Sequence, residues 1–343
     1  MASPRKWRSH FFEGLYFKSD CCGAGALAAA ETAERSMSKR NDVSKNTRKT
    51  MQMKKIAVFV KPTQSLPHAL THLVSVLERE GFEVFLDERA APVLQRPGYP
   101  RKTLGEICDA AVVLGGDGTM LGVARAIGEY GKPIVGVNAG RLGFITDILL
   151  EDMEAVLPAV LHGHCSRDKR RLLEGTVVRG GKVIRQELAV NDLGLSHGRA
   201  GGMVDFIIYV DGKQISSQSA DGIICATPTG STAYSLAAGG PILHPSLSGI
   251  TLVPVAPHTL SNRPIVLPDN LSVEIELTDA RDAVAYFDMQ EFCDVEPGDV
   301  LKVRLSDATI EMLHPEGYDY FELLRRKLKW NYMPKGDKRE DTA

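Results

Sequence analysis

The stretch AVVLGGDGTMLGVARAIG, from Ala111 to Gly128, joins an apolar β-branched run to a helix-like pattern through a Gly-Gly-Asp-Gly turn. Glycine permits backbone angles that a side chain forbids, and it lets a phosphate approach the main chain closely. Asp117 stands where the first N–H groups of the helix point. Glycine also occurs in strand-to-helix turns that bind no ligand. This turn alone is therefore compatible with a purely structural role and with a nucleotide-binding site.

Strands and helices alternate on both sides of this turn. The apolar run Ile56–Val60 predicts a buried strand, and the spacing of apolar residues over 65–80 predicts an amphipathic helix. The next segment, EVFLD, predicts a second strand, which is followed by a Pro-rich loop. After the GGDG turn and its helix comes the strand PIVGVN and a second glycine-bearing turn, NAGRLGFIT. This alternation predicts a parallel sheet covered on both faces, with ligands at the carboxyl ends of its strands, where the GGDG turn falls.

The pattern of apolar residues and turns changes after about residue 164. Short runs rich in Val and Ile are separated by Gly-containing turns, which is typical of an antiparallel all-β region. We therefore predict an α/β domain over 54–164, an all-β, sandwich-like domain over 165–305, and a C-terminal segment over 306–343. That last segment holds the short amphipathic helix YDYFELLRRKLKW, which docks on one of the domains, and a disordered tail.

Residues 1–53 carry many Lys, Arg, Ser and Ala residues without sustained periodicity, which predicts a disordered extension. A mis-assigned start is an equal alternative, with Met37, Met51 or Met53 as the true first residue.

Composition limits the function classes. The 343 residues are 43% hydrophobic and 24% charged, with a formal net charge of -2, which gives no electrostatic reason to expect nucleic acid or an anionic membrane as partner. No apolar run approaches the roughly 20 residues of a membrane helix. The six cysteines include no CxxC pair, and HGHC at 162–165 lacks a second half at ligand spacing. We predict a soluble protein of the reduced cytoplasm, with no metal-ligating residues of its own.

The strongest motif is DGIICATPTGSTAYSLAAGGPILHP, from Asp221 to Pro245. A strand, Ile223–Ala226, leads into a dense array of hydroxyls and backbone N–H donors, and Tyr234 adds an aromatic face. Without a nucleophile and base nearby, this array suits recognition of a polar ligand better than covalent catalysis. Helix capping would account for Thr229 or Ser231 alone, but not for the whole run.

Five separate motifs together resemble the NAD kinase family. They are GGDGTM at Gly115–Met120, NAGRLGF at Asn138–Phe144, the pair Asn191-Asp192, the long DG…ATPTGSTAY run, and APHTLSNRP at Ala256–Pro264. The resemblance spans about Lys54–Trp330. Diacylglycerol kinases share GGDG and phosphofructokinase loops resemble it, but those proteins lack the ATPTGSTAY run followed by PHTLSNRP.

The resemblance implies an N-terminal α/β domain of the phosphofructokinase and diacylglycerol kinase type, a C-terminal β-sandwich-like domain, and homodimers or homotetramers. It implies a phosphotransferase with an alcohol group as acceptor. ATP, with Mg²⁺ or another divalent metal, would phosphorylate the 2′-hydroxyl of the adenosine ribose of NAD to give NADP. Whether polyphosphate replaces ATP, and whether NADH replaces NAD, stays open.

The resemblance also assigns site residues. Asp117 matches the proposed catalytic carboxylate or general base, which would accept the proton of a poorly nucleophilic ribose hydroxyl. Asn191 and Asp192 match the pair that holds NAD by hydrogen bonds, and Asp221 matches a carboxylate that often reaches a dinucleotide across a subunit interface. The other dinucleotide contacts match Gly118, Thr232, Ala233, Tyr234, Ser235, Leu236, Ala237, Ala256 and Gln290.

Two positions depart from the family pattern. Ser219 stands two positions before Asp221, where many relatives carry arginine, and Met289 in YFDMQ replaces a usual glycine. Serine cannot imitate a bidentate guanidinium, so we expect weaker affinity for one end of the dinucleotide. Two rival functions are a kinase of lipid or sphingoid alcohols, which the Ser/Thr-rich run disfavours, and a non-catalytic dinucleotide sensor, which Asp117 disfavours.

Overall fold

The structure is a computed structural model that describes residues 53–61, 66–140 and 143–330. Its α/β part contains, in chain order, β1 (Lys55–Val60), α1 (Pro67–Arg79), β2 (Glu83–Asp87), α2 (Ala91–Leu94), β3 (Gly98–Tyr99), α3 (Arg101–Ile107), β4 (Ala110–Gly115), α4 (Asp117–Ile127), β5 (Pro133–Asn138), β6 (Ile148–Leu149) and α5 (Met153–Leu161). The predictions for residues 1–53 and for the tail from 331 lie outside the described residues, except that Met53 is buried in the first core.

The predicted strand and helix alternation is confirmed in this part. Strands β3, β2, β1, β4 and β5 lie side by side and run parallel. Every residue of β4 is buried, because helices cover both faces of a parallel sheet and leave no polar side. The apolar face of α1 packs on the sheet through Leu70, Leu73, Val74 and Leu77. The GGDG turn therefore lies at the carboxyl end of a central strand.

The expected Pro-rich loop between β2 and β4 is wrong, since this segment contains α2, β3 and α3. Pro92 lies in the first turn of α2, and Pro100 is the N-cap residue of α3. The backbone N–H groups at the start of a helix have no intrahelical acceptor, so a proline there costs no hydrogen bond. Proline at these positions is therefore compatible with the start of a helix.

The second part is built almost entirely of β-strands. It contains β7 (Cys165–Arg179), β8 (Lys182–Ala189), β9 (Asp192–His197), β10 (Val204–Val210), β11 (Lys213–Ala220), β12 (Gly222–Ala226), α6 (Tyr234–Ala237), β13 (Gly249–Val255), β14 (Ile265–Pro268), β15 (Val273–Ala280), β16 (Ala283–Phe287), β17 (Glu291–Val295), β18 (Val300–Pro315) and α7 (Tyr320–Leu328).

Two antiparallel layers face each other in this part. One layer has the order β14-β13-β12-β9-β16-β17, and the other contains β11, β10, β15, β18, β7 and β8. Their inner faces share one core, to which Leu195 and Ile223 contribute from the first layer and Phe206 and Ile275 from the second. The predicted α/β-plus-β class with a sandwich-like second domain is confirmed.

Strand β18 connects the two parts. It pairs antiparallel with β15 and β7, and then parallel with β5 through Glu311 and Met312. The expected boundary between 305 and 306 falls inside this strand, because its buried side chains continue through Ile310 and Met312 into the core of the α/β part. The parallel sheet and one antiparallel layer are therefore a single continuous sheet.

The predicted C-terminal helix is α7, which begins after Asp319. The Asp319 carboxylate accepts a hydrogen bond from the backbone N–H of Phe321 (2.8 Å), and Leu323 and Leu324 are buried. None of the helices in the described ranges is long and apolar enough to cross a bilayer.

Candidate active site

Asp117 is the first residue of α4, and its carboxylate holds the loop that follows β5. Oδ2 accepts the backbone N–H of Phe144 (2.7 Å), while Oδ1 accepts the N–H of Ile145 (3.2 Å) and the hydroxyl of Thr146 (2.8 Å). Thr146 Oγ1 in turn accepts a hydrogen bond from Asn138 Nδ2 (2.8 Å). The carboxylate is therefore fixed by three donors, and one of its roughly four lone-pair sites stays open.

The loop comes this close because residue 143 is glycine. A Cβ on Gly143 would lie 1.9 Å from Asp117 Oδ1 and 2.2 Å from Thr146 Oγ1. Asp117 is not a helix cap, since Gly116 is the N-cap of α4 and no side chain caps this helix. Asp117 instead joins two of the quoted motifs, GGDGTM and NAGRLGF.

Gln290 connects α4 to the second part of the molecule. Its Nε2 donates to the carbonyl of Gly118 (2.7 Å), and its Oε1 accepts from Arg125 Nη2 (2.8 Å). Arg125 also donates through Nη1 to Asp288 Oδ2 (2.7 Å), whose side chain is fully buried. The structure thus brings together Gly118 and Gln290, which were each predicted as dinucleotide contacts, and both polar ends of the Gln290 amide are already bonded.

Asp288 organises the segment that carries Asn191 and Asp192. Its Oδ1 accepts the backbone N–H groups of Asn191 (2.8 Å) and Asp192 (3.2 Å), and its Oδ2 accepts that of Val190 (3.0 Å). Neither Asp288 nor Arg125 was predicted from the sequence. The available signal was an arginine in an otherwise apolar stretch of α4, and an aspartate inside the YFDMQ segment already singled out for Gln290.

Asp192 is a buried carboxyl group with an unused oxygen. Its Oδ1 makes no hydrogen bond within the described chain. Burial, and then the negative charge of Asp288, raise the pKa of Asp192 to about 7. Buried polar atoms are nearly always bonded, so an orphaned carboxyl oxygen marks a place where a ligand donor fits.

Two tyrosines lie beside Asp192. Burial, and then the charges of Asp192 and Asp221, raise the pKa of Tyr234, whose side chain is 37% exposed. The Tyr286 ring is 6.4 Å from that of Tyr234 between centroids, and its buried hydroxyl has no partner among the described residues. Ser235, the next residue of α6, has a buried hydroxyl in the same state. Predicted residues from two segments, Asp192 of β9 and Tyr234 of α6, thus lie close together, beside Tyr286, which was not predicted.

The hydroxyls that precede Tyr234 are used inside the fold. Thr227 donates to the carbonyl of Val190 (2.7 Å) and accepts the N–H of Gly230 (3.0 Å). Thr229 accepts from buried Arg170 (3.1 Å), and Ser231 donates to the carbonyl of Pro228 (2.6 Å). The interpretation of this run as a ligand-binding array is therefore wrong for these three side chains, which fix the turn after β12.

The remaining predicted residues do not all lie near Asp117 and Asp192. Asp221 and Ala256 lie at the opposite end of β12, because Ala226 pairs with Asp192 whereas Gly222 pairs with Ser196 and Val255. Thr232 faces Phe144 and Ile145 of the loop held by Asp117, across a small cleft. Leu236 and Ala237 complete α6, and Ala233 is the residue before it. Asp221 is half-buried at the end of β11, where its N–H donates to the carbonyl of Val255 (3.0 Å), the residue before exposed Ala256.

The two departures have different structural settings. Asp288 and Met289 both have positive φ, +49° and +52°, and the N–H of Gln290 donates to the carbonyl of Phe287 (3.0 Å), which is the pattern of a type I′ turn. Glycine is favoured at such a position, so Met289 is strained. Ser219 accepts the N–H of His258 on its backbone carbonyl (3.0 Å), and its hydroxyl contacts Met203 Sδ (3.7 Å).

The comparisons with known proteins decide the family. Residues 30–165 match the model of the ATP-NAD kinase N-terminal domain, and residues 190–314 match that of the ATP-NAD kinase C-terminal domain. The chain is 47% identical over 289 residues to the NAD kinase of Paraburkholderia phytofirmans, covering 83% of this chain and 96% of that protein. The chain belongs to the NAD kinase family.

Other members of the NAD kinase family agree in sequence and in fold. The NAD kinase of Cupriavidus pinatubonensis is 49% identical over 280 residues, or 81% of this chain and 92% of that protein. The crystal structure of yeast NADH kinase complexed with NADH superposes with a TM-score of 0.76 at 25% identity, covering 83% of this chain and 90% of that one. An NAD kinase from Archaeoglobus fulgidus in complex with ATP gives a TM-score of 0.65 at 26% identity, covering 80% and 98%.

The NAD kinase family phosphorylates NAD to NADP, and this chain is accordingly a phosphotransferase. The GGDG turn lies at the carboxyl end of the parallel sheet, and Gln290 and Asp288 connect its helix to the Asn191-Asp192 pair. Asp221 and the start of the APHTLSNRP segment lie at the opposite end of β12 from this pair.

Proposed function

We propose that this chain transfers the terminal phosphoryl group of ATP to the 2′-hydroxyl of the adenosine ribose of NAD, giving NADP. Family membership supports the reaction class. One observation supports the position of the dinucleotide: Asp192 Oδ1 is buried, lacks a partner in the described chain and lies beside Tyr234 and Tyr286. A ribose hydroxyl is a donor that would satisfy this oxygen.

Asp117 is the proposed catalytic base. A ribose hydroxyl is a weak nucleophile near neutral pH, and a carboxylate within hydrogen-bond reach accepts its proton as the bond to phosphorus forms. The three donors on Asp117 hold the carboxylate in one orientation with one lone-pair site to spare. Preorganised positioning of this kind supplies much of the rate in phosphoryl transfer.

The remaining predicted contacts would hold the dinucleotide. The Asn191 side-chain amide makes no hydrogen bond within the described ranges, and its backbone is fixed by Asp288, so the amide is free to bind NAD. Tyr234, partly exposed beside Asp192, offers a ring face to a base, with Thr232, Ala233, Ser235, Leu236 and Ala237 around it. The last three proposed contacts with the dinucleotide are Gly118, Ala256 and Gln290.

A divalent cation such as Mg²⁺ is part of the proposal as a companion of ATP. The described residues contain no group of three or more His, Cys, Asp or Glu side chains placed to hold a metal ion. Mg²⁺ commonly binds through substrate phosphates, and the phosphates of ATP would supply its ligands here, which leaves the open site on Asp117 to the ribose hydroxyl. When bound, the ion would neutralise phosphate charge during transfer.

We also propose a homodimer or homotetramer in the cytoplasm. An exposed apolar edge on β14, where Ile265 and Val266 are each 46% exposed, supports self-association. Asp221 is half-buried at a strand end and would reach a neighbouring subunit's ligand. Cys108, Cys165, Cys225 and Cys293 are free thiols, which fits a reducing compartment.

Assaying purified protein with NAD, ATP and Mg²⁺ for NADP tests the function. We expect NADP with the phosphate on the adenosine ribose, and parallel reactions with polyphosphate and with NADH define the donor and acceptor range. Phosphorylation of diacylglycerol or sphingosine without NADP would support the lipid kinase instead. NAD binding without turnover under any condition would support a dinucleotide sensor.

A further inference from the structure

The loop that holds Asp117 is itself anchored by His314, the next-to-last residue of β18. His314 Nδ1 lies 2.8 Å from Asp147 Oδ2, and Asp147 directly follows Thr146, whose hydroxyl donates to Asp117. The His314 side chain is 1% exposed and that of Asp147 is 10% exposed. Because an ionised carboxylate only accepts hydrogen bonds, Nδ1 carries the proton and donates it. His314 and Asp147 stand outside every motif that pointed to the family.

The Asp147 carboxylate depends on this one donor. Among the described residues, His314 is its only hydrogen-bond partner, because Asp147 Oδ1 makes no hydrogen bond there. A carboxylate this well buried is costly without a partner. Loss of His314 would therefore draw Asp147 toward solvent and displace the chain immediately after Thr146.

The His314 imidazole is held in one orientation by two other side chains. Its Nε2 lies 3.9 Å from Asp168 Oδ2. The Tyr318 ring stacks on the imidazole, with centroids 4.0 Å apart and planes inclined by 12°. Burial raises the pKa of Tyr318 to about 12, so the stacked phenol stays uncharged. Nδ1 is therefore directed at Asp147 by the packing around the ring.

The carboxylate of Asp168 is held independently of His314. It accepts a hydrogen bond from Arg170 Nε (2.8 Å), and Arg170 Nη1 donates to Thr229 (3.1 Å) in the turn before α6. Arg170 therefore keeps its bonds to both residues when His314 is replaced. This separates an effect of His314 on Asp117 from an effect on the segment proposed to bind the dinucleotide.

A second contact supports the same loop from α7. Lys327 Nζ lies 5.6 Å from the centroid of the Phe144 ring, within the range of a cation–π contact. The backbone N–H of Phe144 is one of the three donors to Asp117. His314 and Lys327 belong to one C-terminal stretch, from the end of β18 to the end of α7. This stretch contacts the loop at both ends, through Phe144 and through Asp147.

We propose that His314 is a positioning residue for phosphoryl transfer: through Asp147 it fixes the loop of residues 144–146 and thereby the orientation of the Asp117 carboxylate. The inference rests on the proposed function, because it takes Asp117 as the base. Proton transfer requires hydrogen-bond geometry, and displacement of a reacting group by about 1 Å costs about 100-fold in rate. Because His314 is buried, its effect reaches the reaction through the loop.

The test uses four variants of the full chain. His314→Phe keeps a ring to stack on Tyr318 and removes the donor, whereas His314→Asn keeps an amide donor close to the position of Nδ1. Asp147→Ala removes the acceptor from a loop, where truncation spares the sheets. Asp299→Asn is the control, because it weakens another buried carboxylate pair, with Arg179 (2.8 Å), in the second part of the molecule.

Three measurements are made on each variant. Steady-state assays with NAD, ATP and Mg²⁺ give kcat and both KM values, and thermal unfolding gives stability. Hydrogen–deuterium exchange measures protection of the backbone amides of Phe144 and Ile145. Because these amides donate to Asp117, their exchange reports on the loop and requires no turnover.

We expect His314→Phe and Asp147→Ala to lower kcat by about 10- to 100-fold, with both KM values within about twofold of wild type. Exchange at the Phe144 and Ile145 amides should become faster in both variants. His314→Asn should keep most of kcat. Asp299→Asn should lose stability and keep wild-type kcat and exchange at the two amides.

Wild-type kcat in folded His314→Phe and Asp147→Ala would overturn the inference, and so would an equal fall of kcat in Asp299→Asn. A His314→Asn variant as slow as His314→Phe would also overturn it, since the hydrogen bond would then not be responsible. Failure of the proposed function has another signature. Wild-type protein would make no NADP with any donor, while exchange at the two amides would still show whether His314 fixes the loop.

Discussion

The carboxyl groups of Asp117 and Asp192, both assigned to the proposed site, have opposite hydrogen-bonding environments. Asp117 accepts three hydrogen bonds from the 144–146 loop and needs no ligand to be satisfied. Asp192 is buried, has an orphaned oxygen and has a pKa raised to about 7. In the proposed function, Asp117 would be positioned before substrate binds, whereas the unpartnered oxygen of Asp192 would gain its hydrogen bond from the substrate.

Because their hydrogen bonding differs, we expect substitution of Asp117 and of Asp192 to change different kinetic parameters. Loss of a positioned base should affect kcat, whereas loss of a group that awaits its ligand should affect affinity. The α4 helix is joined to the segment that holds Asp192 by hydrogen bonds among Arg125, Asp288 and Gln290. The comparison therefore also predicts the effect of removing Arg125.

Asp117→Asn should produce the largest effect. We expect kcat to fall by about 10²- to 10⁴-fold, because an amide cannot accept the ribose proton, while NAD affinity changes much less. NADP formation, NAD affinity and melting temperature are measured on one preparation. Retention of more than about a tenth of wild-type kcat would contradict a catalytic role.

The control for this variant is Thr146→Val, which removes one hydrogen bond to Asp117 and keeps the carboxylate. Thr146→Val should lower the unfolding free energy by about 1 kcal/mol, because the Asp117 and Asn138 bonds to this hydroxyl are lost, yet it should keep most of the turnover. An equal loss of kcat in both variants would show that Asp117 acts only by holding the loop.

Arg125→Met should give the largest change in stability. The buried Asp288 carboxylate would lose its cation, and we expect unfolding free energy to fall by about 3 kcal/mol, since an unpaired buried charge is costly. Denaturant titration checks this, with Arg304→Met as the exposed-pair control at under about 1 kcal/mol. Because Asp288 fixes Asn191 and Asp192, KM for NAD should rise as well.

Asp192→Asn should change affinity and pH dependence. The amide is a weaker acceptor, so we expect KM for NAD to rise about tenfold with kcat largely kept. The raised pKa of Asp192 means that wild-type stability falls as pH rises from about 4 to about 7. The variant lacks this loss, so its stability relative to wild type should increase through that window by up to about 1.4 kcal/mol per pH unit.

Unfolding of both proteins at several pH values, without NAD, measures the difference directly. A constant offset from pH 4 to pH 8 would mean that Asp192 titrates at its ordinary pKa and is not the buried acceptor described above.

Met289→Gly should give the smallest effect. Met289 has φ of +52° and is 52% exposed, so glycine relieves backbone strain without opening a cavity. We expect a gain of up to about 1 kcal/mol, reduced by the greater freedom of glycine in the unfolded chain. Thermal unfolding checks it, and Met289→Ala, which keeps the strain, should show no gain.

The sequence predicted those features that depend on local pattern. Apolar periodicity identified β1, α1, β4 and α4, and the motifs identified Asp117 and the Asn191-Asp192 pair. It did not predict Arg125 and Asp288 as partners, because a pairing across 163 positions leaves no local pattern. The roles of Thr227, Thr229 and Ser231 also depend on tertiary contacts. A sequence with these hydroxyls is equally compatible with hydrogen bonds to a ligand and with hydrogen bonds inside a turn.

The long strand β18 has a consequence for synthesis of the protein. Met312 pairs with Ile134, so the start of β5 has no neighbour on that side until almost the whole chain has left the ribosome. Such distant pairing raises contact order and slows folding, and it leaves a strand edge exposed to other nascent chains in the meantime. We therefore expect the two halves to fold as one cooperative unit, since a chain that ends before residue 311 lacks the part of β18 that pairs with β5.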